Sequence, residues 1–514
     1  MYRLLLTDKG NSHYRVEWPE EFLSQKSIDR RKKQGFHIDE TDLPIDSAYF
    51  EAIAKTGATV QTSSKWLKTI VVMIPDIEIQ EKVRELSFVA EMTKVWSGGN
   101  EEYERNEENE RNKGNERDEN KDETDYGSAL TQIKINNALL LHQEGYKGFG
   151  KTIAVMDAGF KNADIISDFL DLNKVLEAKN FTHEKGDPYR SSENHGTAVL
   201  SCILANNQGV MIGTAPFAQF YLFKTEVNGE EYPVEEDYWV AALEYADSLG
   251  VDIVTTSLGY SEFKDPEMNH SWDDLDGHTI PASRAASMAA SKGMVLFNAA
   301  GNEGRKSWQK VIIPADAENI LTVGAIRSDS LQAEFSSWGF IENGRIKPDV
   351  MAMGNLVCLV SGSGDIYYSN GTSFSTPILA GMGACLWEAL PELTSFELMN
   401  LIKQFSDRSS HPDEYYGYGI PNIYEAYLYG KRNSDRLSLI NNDEIKWGYT
   451  DSIRNRLYLK DDKITWVTIC SFDGCIVLNQ PVSSGFVDIG SLQKGIYVVS
   501  AFSNDKRYTG KFIK

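Results

Sequence analysis

The chain has 514 residues, too many for one compact core and enough for about three domains of roughly 100 to 200 residues each. Its composition, 41% hydrophobic and 25% charged, is that of a globular protein and excludes wholesale disorder. Its 75 acidic and 52 basic residues leave a net charge of -23, which disfavours nucleic acid and anionic membrane as partners.

No apolar run reaches the roughly 18 residues of a membrane span, so none is expected. The opening MYRLLLTDKG is too short for a signal-peptide core and lacks a small-residue cleavage site. The expectation is either an intracellular protein or one whose signal peptide is not in this sequence. Five cysteines cannot all pair, and none has zinc-cluster spacing, so no metal ligands are assigned. Cys470 and Cys475, on either side of a short turn, are read equally as a disulfide or as two thiols.

Residues 1–97 run in a mixed pattern: YRLLLTD, a basic SIDRRKKQG turn, a helix in AYFEAIAKTGA, a strand in KTIVVMIPD, a helix in IEIQEKVREL and a strand in FVAEMTKVW. This predicts a small α+β domain. Residues 98–126 hold twelve acidic and five basic residues and no aliphatic one, so they cannot offset their own ordering entropy and are expected to form a disordered acidic linker.

From 127 to 433, strands such as TIAVMDA, VDIVTTSL, GMVLFNAA and NILTVGA alternate with helical stretches such as TAVLSCILA and VAALEYADSLG. Near-continuous apolar strands between helices predict an α/β fold, a doubly wound parallel sheet covered on both faces. From 434 to 514 short strands separated by Gly, Asp and Asn predict a small β-sandwich. The charge divides unevenly, with -1 on residues 1–97, -7 on the linker, -17 on 127–433 and +2 on 434–514.

Ligands of open parallel sheets sit beyond the carboxyl ends of the strands, and three residues at such positions stand out. Asp157 ends an apolar strand, His195 opens a helix, and Ser373 lies at the start of GTSFSTPILAGMGACLWEAL, whose Pro377 suits a first helical turn. Alone, each has a bland reading as a turn cap, a surface histidine or an N-cap. Together they supply the parts of nucleophilic catalysis: a serine, a histidine to take its proton and a carboxylate to hold that histidine. Asn302, after a strand end in NAAGNEG, offers a second donor for an oxyanion beside the Ser373 amide; read alone it is a turn residue.

The motifs DAG at 157–159, HGT at 195–197, SLG at 257–259, AAGN at 299–302 and GTSFSTP at 371–377, with IIPADAENILTVGA, FSSWG and KPDVMAMG in support, resemble the subtilisin-like serine protease (subtilase) family, in the family's Asp, His, Ser order. The resemblance implies that Asp157 orients the imidazole, His195 acts as general base and then acid, Ser373 attacks the scissile carbonyl, and Asn302 holds the oxyanion. It further implies that Ser257, Leu258 and Gly259 pair with an extended substrate and that Ala299, Ala300 and Gly301 line the pocket for the residue before the cut. The chain departs from the family in carrying Thr255 and Thr256 before SLG, and Ala352, Met353 and Gly354 where Ala-Pro-Gly is usual; these departures bear on specificity. The chemistry needs no cofactor. A structural Ca2+ is common in the family, and SWDDLDGH at 271–278 has closely spaced carboxylates, but it lacks a full calcium-loop pattern and is read as an exposed acidic insertion.

Residues 1–97 resemble a subtilase propeptide, which would act as an intramolecular inhibitor until cut in the linker; a permanent accessory domain is the alternative. Residues 434–514 resemble the sorting domains of proteins exported by the type IX route of Bacteroidota, with a plain binding module as the rival. The expected protein is thus a secreted or cell-surface bacterial endopeptidase made as a zymogen, acting on protein or peptide substrates, with secretion machinery as a further partner. The reading from a different class is a surface binding or adhesion protein on the same scaffold, without turnover.

Overall fold

The computed structural model describes residues 1–98, 125–184, 186–342 and 345–440, and in the C-terminal region 448–451, 456–459, 463–471, 476–482, 485–493, 495–503 and 507–513. Nearly all of the predicted linker, residues 99–124, lies outside the described residues, as does Cys475. The chain divides into two compact units, Met1–Tyr427 and Leu428–Lys514. The division falls within a helix spanning Ile423–Ile440.

The first unit is built on a seven-stranded sheet. In spatial order its strands are Val350–Met353, Leu321–Ile326, Val295–Ala299, Ile253–Thr256, Thr152–Asp157, Gln219–Lys224 and Val175–Asn180, all parallel. Five of these strands are buried at every residue, which is why they read as unbroken apolar runs and not as alternating ones. The Thr152–Asp157 strand comes first along the chain. Later strands add to one side of it through Ile253–Thr256 and to the other through Gln219–Lys224, so the strand order reverses beside it. Such a reversal opens a crevice at the carboxyl ends of the strands.

Residues 1–97 of the same unit form a four-stranded antiparallel sheet in the order Thr59–Ser64, Thr69–Met73, Tyr2–Leu6, Val89–Lys94. One face packs under the Ser47–Thr56 and Ile77–Arg84 helices through Leu4, Leu6, Ile53, Ile70, Val72 and Val83. Beyond the sheet, Trp66 and Leu67 enter a core shared with Trp239, Leu243, Ala282 and Ala286, and Met1, Val71 and Val95 pack with Val227, Tyr232, Val234 and Tyr238. Polar contacts fix the register. Glu244 on the Val234–Leu249 helix accepts from the Ser64 hydroxyl and, at 3.0 Å each, from the Lys65 and Trp66 amides. Arg3 pairs with Asp237 at 2.6 and 2.8 Å.

The basic SIDRRKKQG stretch corrects the sequence reading: it is a helix, Gln25–Gln34, capped by Ser24, whose hydroxyl accepts from the Ser27 amide at 3.2 Å. Its charges are not a solvated surface. Arg31 is buried and bridges Asp42 at 2.7 Å and Asp247 at 2.5 Å; Arg30 pairs with Asp247 as well, and Lys292 reaches Asp42 at 3.1 Å. Lys26 donates to Thr152 and Asp252 at 2.6 and 3.1 Å, and Gln34 exchanges bonds with Gly293 and Ser395. The helix carries no apolar stripe because tertiary ion pairs, not an apolar face, hold it in place.

The second unit has two antiparallel sheets, one of Gly448–Asp451, Arg456–Leu459 and Phe486–Asp488 and one of Ile476–Pro481, Trp466–Ser471, Ile496–Phe502 and Arg507–Ile513. Leu457 and Val487 from the first share a core with Val467, Ile469, Val499 and Ala501 from the second, the arrangement of a small β-sandwich. Cys470 is a free thiol, as are the buried Cys202, Cys358 and Cys385.

Two outcomes follow from the packing of residues 1–97. Arg31→Ala strands the buried Asp42 and Asp247 carboxylates and is expected to cost about 3 to 5 kcal/mol in denaturant unfolding of the intact chain. Lys82→Ala, which removes an exposed pair with Glu78, should stay within about 0.5 kcal/mol. Glu236, which also faces Arg3, accepts from His270 at 2.5 Å. Burial lowers the His270 pKa, but the charge and hydrogen bond of Glu236 outweigh it and the net shift is upward from about 6.5. A raised folded-state pKa means that the His270 contribution is full below about pH 6.5 and lost as pH climbs through the folded value. Melting curves of wild type and His270→Gln should therefore differ most in acid and converge toward alkaline pH.

Candidate active site

Asp157 is the last residue of the strand beside the reversal and is fully buried. Its Oδ1 accepts from the Ala158 amide and lies 2.8 Å from His195 Nδ1; its Oδ2 has no hydrogen-bond partner. His195 is the first residue of the His195–Leu204 helix. Gly196 behind it has no room for a side chain, since an added Cβ would collide with the Gly159 carbonyl and stand 3.0 Å from Asp157 Cβ. Glycine is what lets the helix start press against the strand end. The His195 ring lies 5.8 Å from that of Phe374, the residue after Ser373.

Ser373 lies in the first turn of the Thr372–Ala389 helix. Pro377 is not in that turn, as the sequence reading had it, but well inside the helix. A proline there cannot donate to the carbonyl four residues back, and that carbonyl is Ser373's. The Ser257 hydroxyl takes it instead, donating at 2.7 Å. Ser373 Oγ in turn lies 3.5 Å from the Ser257 carbonyl. The proline thus ties the SLG segment to the serine through a carbonyl that an ordinary helix would use internally.

Asn302 is pinned by Thr372, whose amide and hydroxyl donate to its Oδ1 at 2.9 and 3.1 Å. Its Nδ2 lies beside Gly371, 3.6 Å from where a Cβ would sit. The Gly301 amide donates to the Thr372 hydroxyl at 3.1 Å. Asp157, His195, Ser373 and Asn302 are therefore linked through neighbouring elements at the carboxyl ends of the strands.

Leu258, Ala299 and Ala300 bury their side chains, so whatever these segments offer a ligand comes from backbone and shape. Much of the Ala299–Gly301 backbone is already committed: Ala300 donates to Val323 and accepts from Ile312, and Gly301 accepts from Ser337. That segment lines space rather than pairing as a strand. Of the two unusual threonines, Thr256 accepts from the Trp239 indole at 3.0 Å.

Residues 148–419 match the subtilase family, and residues 1–113 match a Peptidase S8 propeptide domain of Bacteroidota. The first match covers more than half of the chain and every residue just described. The chain belongs to the subtilase family. Among curated relatives, Subtilisin E of Bacillus subtilis (strain 168) is 30% identical over 301 residues, 58% of this chain and 70% of its own length, and Subtilisin of Bacillus pumilus is 30% identical over 58% of this chain and 97% of its own length. A solved structure of MycP3 protease from the type VII (ESX-3) secretion system aligns over 59% of this chain and 88% of its own, at 19% identity and a TM-score of 0.47. As a subtilase, the protein is a serine endopeptidase.

The acidic stretch 271–278 uses its carboxylates locally: Asp274 accepts from Ser271, and Asp276 from the His278 and Thr279 amides and the Thr279 hydroxyl. Among the described residues, metal-ligand spacing falls elsewhere, on the buried Glu226, Glu231 and Glu235, with one oxygen of each within 4.8 Å of the others. Sequence reasoning missed this group because its members look like part of a general acidic excess. Tyr260 donates to Glu226 at 2.8 Å, and the Val227 and Tyr232 amides donate to Glu235 at 2.8 and 3.3 Å, so in this subtilase it is a buried polar network. Thr372 was also passed over, although it stands inside the GTSFSTP motif.

Ser257→Ala should leave the Ser373 carbonyl without its donor and cost about 1 to 3 kcal/mol in stability. In a Pro377→Ala background the restored backbone amide can serve that carbonyl, and the same substitution should cost measurably less in a double-mutant cycle.

Proposed function

We propose that this subtilase cleaves peptide bonds with Asp157, His195 and Ser373 through an acyl-enzyme. The observation that carries the reading is the 2.8 Å contact of His195 Nδ1 with a fully buried Asp157 oxygen, beside a serine in the first turn of a helix. The carboxylate fixes the tautomer so that Nε2 is the proton acceptor. Ser373 Oγ attacks the carbonyl carbon as its proton passes to His195. The oxyanion is held by Asn302 Nδ2 and the Ser373 amide, assisted by the helix N-terminus. His195 returns the proton to the leaving amine, and water then repeats the sequence on the ester. No step calls on a metal, and a structural Ca2+ would serve stability alone.

We further propose that residues 1–97 inhibit the enzyme until a cut is made within 98–126, the catalytic domain occupying 127–433, and that the protein acts outside the cell, with 434–514 serving export or surface attachment. The match of the first 113 residues to a Bacteroidota propeptide domain supports the zymogen reading. The intact set of four site residues speaks against a binding scaffold without turnover.

A serine-directed inhibitor is expected to label Ser373, and Ser373→Ala to abolish both casein cleavage and release of a fragment ending between 98 and 126. Asn302→Ala should lower turnover by about 100- to 1000-fold with little change in KM, a magnitude that is subtilisin's own. Unchanged casein cleavage by the Ser373→Ala protein would sink the assignment.

A further inference from the structure

The residue that sets the substrate class can be located by following the two segments flanking Ser373, an argument that rests on the hydrolytic reading above. Ser257 touches Ser373 on one side, and on the other Gly301 is tied to Thr372. A peptide with its carbonyl carbon over Ser373 Oγ and its oxygen toward Asn302 must place the side chain before the cut between residues 257–259 and 299–301. That space has an occupant. A Cβ added at Gly259 would collide with Ile312 Cδ1 and Cγ1, and one added at Gly301 would stand 3.0 and 3.1 Å from Ile312 Cγ1 and Cγ2. Two bare α-carbons, one on each wall, thus face the same aliphatic side chain.

Ile312 is also held there. Its amide donates to the Ala300 carbonyl at 3.1 Å, and the next residue, Ile313, exchanges backbone bonds with Tyr260 at 2.8 and 3.1 Å. The segment therefore spans both walls. A β-branched side chain is stiff at χ1, so it does not swing aside cheaply. Ile312 is only half-buried, so a ligand can reach it. We infer that Ile312 forms the floor of the pocket for the residue before the scissile bond and makes this subtilase selective for small side chains there, such as alanine or serine, against aromatic ones.

The test uses the full-length chain and a peptide series differing only in the residue before the cut: Ala, Val, Leu or Phe. The wild type should show a kcat/KM for the Ala peptide at least tenfold above that for the Phe peptide. Ile312→Gly should raise the Phe-to-Ala ratio about 100-fold or more, and Ile312→Val by about tenfold or less, since each methylene in such a pocket changes discrimination by roughly 10- to 200-fold. A wild type that prefers Phe, or an Ile312→Gly ratio within twofold of wild type, overturns the inference. If Ser373 takes up a serine-directed label and the series is cut with an unchanged ratio, the Ile312 assignment alone fails. If no peptide is cut and Ser373 stays unlabelled, the hydrolytic reading fails and takes this one with it.

Discussion

Everything at the site depends on keeping one carboxylate ionised in a place with no water. Asp157 is fully buried at the end of a central strand, and one of its two oxygens has no hydrogen-bond donor. Burial alone would favour the neutral acid. What opposes it is the Ala158 amide and the His195 ring, both on the other oxygen. An arrangement satisfied on one side only is stable only if histidine and strand end cannot drift apart. The absence of a side chain at Gly196, the reversal of strand order and the close packing of the helix start all serve that one distance.

The same economy governs the serine. A helix that contains a proline gives up one internal hydrogen bond, and here the group left over is the carbonyl of the proposed nucleophile. Because Ser257 takes it, the orientation of Ser373 is coupled to the segment expected to hold substrate. Thr372 performs the matching task on the other side, with Gly301 and Asn302 both bound to it. Adjacent residues of one helix turn thus tie down both walls of the cleft, a preorganisation that needs no rearrangement as charge develops.

The sheet was legible in the sequence because total burial writes itself as unbroken apolar runs, and the site because short motifs of glycine and polar residues ended those runs. What escaped notice was whatever depends on partners far away in the chain. Arg30 and Arg31 look like a solvated turn until Asp247, more than 200 residues on, is placed between them. Pro377 suggests a helix start by local rules, and only the Ser257 hydroxyl explains its place inside the helix. Ile312 sits in a stretch that reads as ordinary core, and its relation to Gly259 and Gly301 exists only once both strand ends are closed. Local propensity sees elements; it does not see what faces what across a cleft.

The acidity of residues 127–433 also has a more specific cause than solubility or attraction of cationic substrates. Asp237, Glu244, Asp247 and Asp252 all point at residues 1–97, where they meet Arg3, the amides of Lys65 and Trp66, Arg30 and Arg31, and Lys26. Buried pairs of this kind add little net stability, because desolvation cancels much of their attraction, but mismatched partners are penalised heavily. They therefore determine where the first 97 residues dock more than how tightly. Two of the gripping points, Thr152 and Asp252, lie where their strands enter the sheet, whereas Asp157 and Ser257 lie where the same strands leave it. The N-terminal segment thus holds the end of the sheet remote from the reacting groups, so a cut in the linker would break the covalent tie without touching the contacts that keep the segment in place.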